Sequence, residues 1–309
     1  MIMTHELEHI VDALKAAGDP TRLRLLGLCR LGDMSVGDLV DITGQSQPSI
    51  SRHLKILHAA GLLERRQDGA FVFYRLSKSP LNQALDIMVA DGPGVLNQDK
   101  QIYAEREQKR HEDVAKHFAL HAADWDDLRG SYLHAEEVDG YIASIVAQHK
   151  PQHVLDIGTG TGHILNILGR YAGKLSGVDI SRDMLSLARQ RLGGVQNADK
   201  IDLRRSDMNQ LPFDDASMDM ASMHLVLRHA SNPRRAIMEA SRVLKPQGHL
   251  IVVDLEIGEP AGHHTERSGF AKQDVCEFMI DAGLVLEPIR SLTQGLRTGY
   301  IWHGVKQAW

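Results

Sequence analysis

Hydrophobic residues recur with helical spacing through the first part of the chain. Leu7, Ile10, Val11 and Leu14 fall on one face of a helix. The same spacing, with Gly18, Gly44 and Gly61 as stops and caps at Asp19-Pro20, Ser35 and Ser46, predicts three more helices over residues 20–28, 36–42 and 47–60. Two helices joined by a short turn that contains glycine form a helix-turn-helix. The pattern therefore predicts such a motif, with residues 47–60 as its second helix.

The pattern changes after Gly61 from helical spacing to two runs rich in strand-forming residues. Residues 62–66 and 71–76 flank Gln67-Asp68-Gly69-Ala70. Asp-Gly between two such runs is a hairpin signal. A helix-turn-helix followed by a basic hairpin is a winged helix, so we expect a winged-helix domain, mainly α with a β-hairpin wing, over residues 1–92.

The helix over residues 47–60 has an apolar stripe of Ile50, Leu54 and Leu57, with polar and basic residues on its other faces. Such residues suit a recognition helix in a major groove. The residues predicted to contact DNA are Gln47, Ser49, Ser51, Arg52, His53 and Lys55 on this helix and Arg65, Arg66 and Arg75 on the hairpin. Residues 52–78 contain six basic and two acidic residues, although the chain as a whole has a net charge of -5. Positive charge concentrated there favours phosphate binding over a solvated hairpin with no DNA role.

The sequence of this segment resembles the ArsR-type family of dimeric bacterial repressors. Residues 16–26 look like the family's opening helix pair, and residues 46–57 with 60–63 look like its recognition helix. The resemblance implies a homodimer that binds a double-stranded DNA operator, with the apolar faces of residues 7–14 and 81–88 covered by a partner. The Cys-x-Cys or His/Asp pairs of metal-sensing members are missing, so the effector is expected to act elsewhere in the chain.

Asp91-Gly92-Pro93-Gly94 is the clearest domain boundary. A charge-dense stretch follows, which predicts a linker helix over residues 93–117 and a second domain over residues 118–309. His117 and His121 have a spacing that could hold a metal ion, but no third ligand accompanies them, so no metal is assigned.

Cysteine content and apolar runs bear on where the protein works. The two cysteines, Cys29 and Cys276, lie far apart, which fits a reducing cytosol without disulfides. The chain shows neither a leader-like start nor an apolar run near 18 residues. We therefore expect a cytoplasmic protein with no membrane partner.

In the second domain, predicted strands and helices alternate. Strands are expected over residues 154–157, 174–180, 201–206, 218–223 and 250–255, and helices over residues 164–168, 183–192 and 233–244. Alternation of this kind is typical of an α/β doubly wound, Rossmann-like sheet that binds ligands at the carboxyl ends of its parallel strands.

Gly158-Thr159-Gly160-Thr161-Gly162 follows the first of these strands and favours a nucleotide-like ligand. Asp179 comes about 20 residues later, where an acidic residue commonly binds ribose hydroxyls. These features leave a nicotinamide dinucleotide domain and a methyl-donor domain both open. Three details favour the methyl donor: Asp156 precedes a turn that is not G-x-G-x-x-G, Asp207 follows the third strand, and a turn over residues 245–248 joins a helix to a strand.

Together these motifs resemble the S-adenosylmethionine (SAM)-dependent class I methyltransferases over residues 115–309. The resemblance implies a site for SAM or S-adenosylhomocysteine (SAH): the glycine turn around the methionine portion, Asp179 on the ribose, and Asp207 beside the adenine. The implied cofactor-binding residues are Asp156, Gly158, Thr159, Gly160, Gly162, Asp179, Ile180, Asp207, Met208 and Leu225. A base is needed only if the acceptor must lose a proton. His229 and His134 are weak candidates for it, and the catalytic residues stay unassigned.

The fusion itself resembles a recognised family of ArsR-methyltransferase proteins, some associated with methionine-cycle control. Two hypotheses follow. The first is a DNA-binding transcriptional repressor whose methyltransferase-like domain binds SAM or SAH. The second is an active small-molecule methyltransferase with a fused autoregulatory DNA-binding domain. The regulator ranks first because the DNA-reading half is complete, whereas the acceptor half lacks a recognisable nucleophile pocket.

Overall fold

The structure, a computed structural model, describes residues 2–32, 34–68, 71–77, 81–82, 94–121, 133–193, 201–256 and 269–308. It divides into two compact units, residues 1–110 and 111–309. Among the described residues, no helix is long and apolar enough to span a membrane.

Four helices open the first unit: α1 (Ile2–Ala17), α2 (Pro20–Cys29), α3 (Val36–Thr43) and α4 (Gln47–Ala59). Asp19 caps α2 by accepting a hydrogen bond from the Arg22 amide at 3.0 Å, as the Asp-Pro pair predicts. Gly44 ends α3 in the left-handed conformation at φ 68°. Ser46 occupies the cap position of α4, although its side chain makes no capping hydrogen bond.

The wing of the first unit is an antiparallel hairpin of β2 (Leu63–Asp68) and β3 (Phe71–Leu76). The predicted hairpin is confirmed, while its turn at residues 69–70 lies outside the described residues. Met34–Ser35 forms a short strand, β1, which pairs with β3 before Ser35 caps α3 as predicted. Ile50, Leu54 and Leu57 of α4 are fully buried in the unit's core, as their stripe predicts.

A long helix, α5 (Gly94–His121), follows the wing and passes the division between the two units. It is longer than the predicted linker helix. Residues 91–93 of the boundary predicted at residues 91–94 lie outside the described residues, as do residues 83–88 of the apolar stripe predicted over residues 81–88.

The second unit holds an eight-stranded sheet. Its strands are β4 (His153–Ile157), β5 (Lys174–Asp179), β6 (Ile201–Arg205), β7 (Met218–His224), β8 (Leu244–Leu255), β9 (Leu284–Leu286), β10 (Arg290–Gln294) and β11 (Arg297–Lys306). The order is β10-β11-β8-β7-β4-β5-β6, with β9 also paired to β11. Strands β4 to β8 run parallel. The chain starts in the middle at β4 and winds to both sides, so the switch point lies beside β4.

Five helices accompany the sheet: α6 (Ala135–His149), α7 (His163–Leu168), α8 (Arg182–Leu192), α9 (Pro233–Val243) and α10 (Lys272–Asp281). Side chains of β4 alternate between two apolar clusters, with Leu155 and Ile157 in one and Val154 in the other. Strands predicted from the pattern are confirmed. One correction applies: the sheet is mixed, since β9, β10 and β11 pair antiparallel. The turn expected over residues 245–248 corresponds to an irregularity within β8, where the pairing with β7 skips from Leu244 to His249 and Gln247 has φ 65°.

Three histidines meet beside α6. His249 Nδ1 lies 3.0 Å from His303 Nε2, and the His149 ring is centred 3.9 Å from the His249 ring. The Tyr141 hydroxyl lies 3.4 Å from His303 Nδ1. Burial above all, together with the charges of neighbouring imidazoles, lowers the pKa of both His249 and His303 to about 4. Both rings are therefore neutral at neutral pH.

This cluster predicts a fall in stability in mild acid. The unfolded chain binds protons on these rings near their ordinary pKa of 6.5, whereas the folded chain binds them only near pH 4. The free energy of unfolding should therefore fall as the pH drops through that window. Denaturant titrations at neutral pH and at about pH 5 measure it. We expect His249→Gln to reduce the change in the free energy of unfolding between the two pH values. His134→Gln, a change at an exposed histidine, should leave that change as in the wild type. An equal change in both variants would contradict the role of the histidine cluster.

Candidate functional site

The glycine turn lies between β4 and α7. The amides of Gly158 and Thr159 donate to the Val178 carbonyl of β5 at 2.8 and 2.9 Å, which fixes the turn on the neighbouring strand. Gly158 has φ 71°, and a Cβ built on it would lie 2.2 Å from Val226 Cγ2. Only glycine fits this position, because both its backbone conformation and its contact exclude a side chain.

Asp156 lies in β4 under this turn and is 2% exposed. The Ser222 hydroxyl of β7 donates to Asp156 Oδ1 at 2.7 Å. Burial, opposed by this hydrogen bond, raises the pKa of the Asp156 carboxyl to about 6. A buried carboxylate of this kind gains from a cationic ligand group, since such a group would offset the cost of its charge.

Asp179 ends β5 and holds the turn from the other side. Its carboxylate accepts from the Gly160 amide at 2.9 Å and from the Ser181 amide at 2.8 Å. Burial nevertheless raises the pKa of Asp179 above its ordinary value. Each carboxylate oxygen can accept a further hydrogen bond, so hydroxyl donors of a ligand can still bind there.

Asp207 and Asn209 follow β6. Asp207 Oδ1 accepts from the Asn209 backbone amide at 2.9 Å and from Asn209 Nδ2 at 3.1 Å. Asn209 Nδ2 also donates to Ser231 Oγ at 3.0 Å. Asn209 Oδ1 is buried and has no hydrogen-bond partner among the described residues. An orphaned buried acceptor suits a ligand with an amino group, as adenine has.

These residues line one cleft at the carboxyl ends of the strands, which encloses about 920 Å³ of space including the solvent at its mouth. Nine of the ten predicted cofactor residues line it: Asp156, Gly158, Thr159, Gly160, Asp179, Ile180, Asp207, Met208 and Leu225. Gly162 instead caps α7 next to the cleft. The residues present therefore fit a nucleoside ligand with a cationic amino-acid portion.

Several lining residues were not predicted. His163 and Asn209 directly follow predicted positions, so adjacency to the motifs was the available signal. His163 Nε2 lies 2.8 Å from Asp139 Oδ2 of α6. Leu225 adopts φ 53°, rare for a branched side chain, and its amide donates to the Val253 carbonyl at 2.8 Å. Leu225 thus has a strained backbone, and the next residue, Val226, packs against Gly158 of the glycine turn.

The two candidate bases differ in position. His229 lines the cleft, whereas His134 lies at the start of α6 with Nε2 3.1 Å from the Thr293 carbonyl. Arg228 Nε donates to His229 Nε2 at 3.2 Å, and Arg228 in turn faces the fully buried Asp254. Because arginine has no acceptor, His229 Nε2 must use its lone pair in this contact. The arrangement favours His229 as a hydrogen-bond donor through Nδ1 over a base acting at Nε2.

In the first unit, the predicted DNA-contacting residues are not equally available. Gln47, Arg52, Lys55 and Arg65 are exposed. The other positions are half-buried or already paired: Ser49 donates to Gln45 at 3.3 Å, Ser51 is half-buried, His53 lies 3.8 Å from Asp19, and Arg75 binds Glu64 at 2.6 and 2.7 Å. The Arg66 side chain is not among the described side chains. The available charge therefore lies on α4 and on β2.

Comparisons with known families identify two segments. Residues 19–65 match the family described as "Bacterial regulatory protein, arsR family". Residues 155–252 match the family described as "Methyltransferase domain". The first match covers α2 to β2, and the second covers the glycine turn and the cleft.

Curated relatives match part of the chain. Demethylmenaquinone methyltransferase of Tropheryma whipplei (strain Twist) is 40% identical over 103 residues, which are 33% of this chain and 41% of the relative. A 37.1 kDa protein in transposon TN4556 of Streptomyces fradiae is 28% identical over 165 residues, 47% of either chain. The chain thus spans less than half the length of these relatives. The solved structure of the [4+2]-cyclase SpnF shares the fold, with a TM-score of 0.54 and 18% identity over 64% of this chain and 97% of that one.

Proposed function

This chain joins an ArsR-family helix-turn-helix domain to a methyltransferase domain, and from that pairing we propose that it is a DNA-binding repressor regulated by SAM or SAH. The observation that carries the proposal is the combination, in one chain, of exposed basic side chains on α4 with a carboxylate-lined cleft at the sheet's switch point. The effector link to the methionine and SAM cycle rests on the family resemblance alone.

The cleft would hold the ligand in three parts. Asp156 and the glycine turn would bind the amino-acid portion, Asp179 the ribose, and Asp207 with Asn209 the adenine. When bound, SAM supplies a methyl group on a positively charged sulfur, whereas SAH has neither that methyl nor that charge. A ligand changes DNA affinity only if it binds the two conformations of the protein unequally. A coupling of about 1–3 kcal/mol is sufficient for a switch.

The alternative is an active methyltransferase that also controls its own expression. The chain's similarity to the demethylmenaquinone methyltransferase named above favours this alternative, as does the presence of His229 in the lining of the cleft. Methyl transfer needs the acceptor held in line and dry more than it needs a base. We rank it second because His229 Nε2 and His163 Nε2 are already engaged by Arg228 and Asp139. The fold does not decide, since the same fold occurs in a protein named a cyclase.

Mobility-shift titrations test the regulator. The probe is a duplex selected by the wild-type protein from a random-sequence library, with SAM and SAH added separately. We expect one of them to change DNA affinity by about fivefold or more. If neither does, the sensor proposal is wrong. The enzyme alternative is tested by incubating protein with cell extract and labelled SAM; SAH release no greater than that of Asp156→Ala would rule it out.

Asp156 gives the binding step a predicted pH dependence. Below about pH 6 its carboxyl takes up a proton and loses the charge that attracts the ligand's ammonium group. SAM affinity should therefore fall as the pH drops through about 6. Calorimetric titrations at about pH 7.5 and 5.5 measure the ratio of the two SAM dissociation constants. This ratio should be smaller for Asp156→Asn than for the wild type. The same ratio in both proteins would mean that another group titrates.

The proposed homodimer has a candidate face on α1. Leu7, Ile10, Val11 and Leu14 are 63, 45, 41 and 48% exposed, so four apolar side chains of one helix face are uncovered. We expect Leu14→Glu to give a monomer by sedimentation and to weaken operator binding, because two half-sites need two copies. Lys15→Glu, a neighbouring exposed position, is the control. A wild-type monomer at micromolar concentration would contradict the dimer.

A further inference from the structure

One arginine of α2 joins three elements of the first unit. Arg24 Nε and Nη2 bind the Asp99 carboxylate of α5, each at 2.7 Å. Arg24 Nη2 also donates to the carbonyl of Thr43, the last residue of α3, at 3.3 Å. The Arg24 and Asp99 side chains are only 18% and 3% exposed. The pair is thus a bidentate, nearly buried contact between α5 and the helix-turn-helix.

A second ion pair lies about two turns further along α5. Arg106 binds Asp41 of α3 at 3.0 Å and lies 3.7 Å from Asp38 of the same helix. Between the two pairs, Ile102 and Tyr103 pack against the unit's apolar core. Residues 94–110 of α5, the anchor segment, are therefore held to α2 and α3 by the ion pairs of Asp99 and Arg106 and by the apolar packing between these two pairs.

The position of these contacts bears on α4. Thr43 ends α3, and only Gly44, Gln45 and Ser46 separate it from α4. Gln45 is itself tied to α2, since its Nε2 donates to Thr21 Oγ1 at 3.0 Å. The anchor segment thus contacts the two helices that place α4, and Arg24 binds the last residue of α3, directly before the turn that leads to α4. A shift of α5 along α2 would break two short charge-assisted hydrogen bonds.

Burying an ion pair is a poor way to gain stability, because apolar residues of similar volume often do as well or better. What such a pair fixes is register, since an uncompensated Asp99 carboxylate is costly in any other position. A helix that served only as a spacer between domains would need no such contact. The geometry accordingly favours a defined position of α5 on the helix-turn-helix.

We propose that the anchor segment sets the position of α4, so that Arg24, Asp99 and Arg106 control DNA affinity without touching DNA. α5 continues to His121, beyond the division of the chain at residues 110–111. A change that shifts α5 would reach α4 through these contacts. The inference rests on the proposed DNA-binding function and adds the route by which that function is regulated.

The experiment compares two variants with matched controls on the same helix in the full chain. Asp99→Asn removes the buried charge, and Asp113→Asn makes the same change at an exposed position. Arg106→Gln removes the second ion pair, and Lys109→Gln removes an exposed positive charge. Readouts are affinity for the selected duplex, hydrogen exchange of the amides at residues 43–47, and SAM affinity.

We expect Asp99→Asn to lower DNA affinity by about tenfold and Arg106→Gln by up to about fivefold, as the loss of a partly exposed ion pair allows. Both should speed exchange at residues 43–47 and leave SAM affinity unchanged, while the controls stay near wild type. Affinity and exchange equal to those of the controls would overturn the proposal. If Asp99→Asn does not fold, Arg106→Gln decides.

The same data separate this inference from the proposed function. Wild-type protein that binds no DNA would refute the regulator, yet exchange at residues 43–47 would still report whether the anchor segment positions the turn. If SAM and SAH leave DNA affinity unchanged, regulation by these ligands is refuted. A difference in DNA affinity between Asp99→Asn and Asp113→Asn would still support control of α4 by the anchor segment.

Discussion

Arg52→Ala is expected to lower operator affinity by about thirtyfold or more while leaving SAM affinity unchanged. Arg52 lies on the exposed face of α4, opposite the buried stripe of Ile50, Leu54 and Leu57. Loss of an arginine that reads a base costs about 1–3 kcal/mol per copy, and a dimer loses two. Mobility-shift titrations at two salt concentrations measure both affinity and its salt dependence.

The salt dependence shows which role Arg52 has. If Arg52 binds phosphate, its loss should weaken binding to all sequences and reduce the salt slope by about one unit per copy. If it reads a base, selectivity should fall while the slope changes little. Lys109→Ala, on the exposed surface of α5, is the control for loss of one positive charge. Affinity indistinguishable from that control would remove α4 from the DNA-reading surface.

Gly158→Ala is expected to lower SAM and SAH affinity on the order of a hundredfold, about 2.7 kcal/mol. An alanine at φ 71° is strained, and its Cβ would overlap Val226. Relief of that overlap must move the turn that carries the Gly160 amide, or the loop of Leu225 and Val226. Both line the cleft.

Gly283→Ala is a matched control within the same unit. Gly283 has φ 78°, yet a Cβ there would meet no atom within 4 Å. It therefore shows the cost of backbone strain alone, about 1–2 kcal/mol in the free energy of unfolding. Gly158→Ala should cost about 1–3 kcal/mol more because of the overlap. Equal losses of stability in the two variants, with ligand binding intact, would contradict the tight contact between the turn and Val226.

Local signals predicted most elements of the fold. The Asp19-Pro20 cap, the Gly44 stop and the buried stripe of α4 depend on neighbours in sequence, and each is found as expected. The antiparallel strands β9 to β11 were missed, because β11 pairs with β8 across about 50 residues of chain and its pairing leaves no local period. The turn expected at residues 245–248 is found as an irregularity within β8, where the pairing with β7 skips these residues and Gln247 adopts φ 65°.

In the candidate site, too, features set by neighbours in sequence were predicted, whereas contacts between distant residues were not. Motif residues such as Asp156, Asp179 and Asp207 were predicted because strand ends converge at one edge of a parallel sheet, and the structure brings them to one cleft. Contacts between side chains were not predictable. Arg75 carries a positive charge in the sequence, yet Glu64 on the paired strand binds it. Arg24 and Asp99 are 75 residues apart, and only the packing of α5 on α2 shows that they meet.

The most direct test of the proposed function is calorimetric titration of SAM and SAH into the free protein and into its complex with operator DNA. If a ligand changes DNA affinity, DNA must change the affinity of that ligand by the same factor. We predict that SAM or SAH binds the free and the DNA-bound protein with dissociation constants that differ by about fivefold or more. Equal constants in both states for both ligands would show that the cleft does not regulate DNA binding.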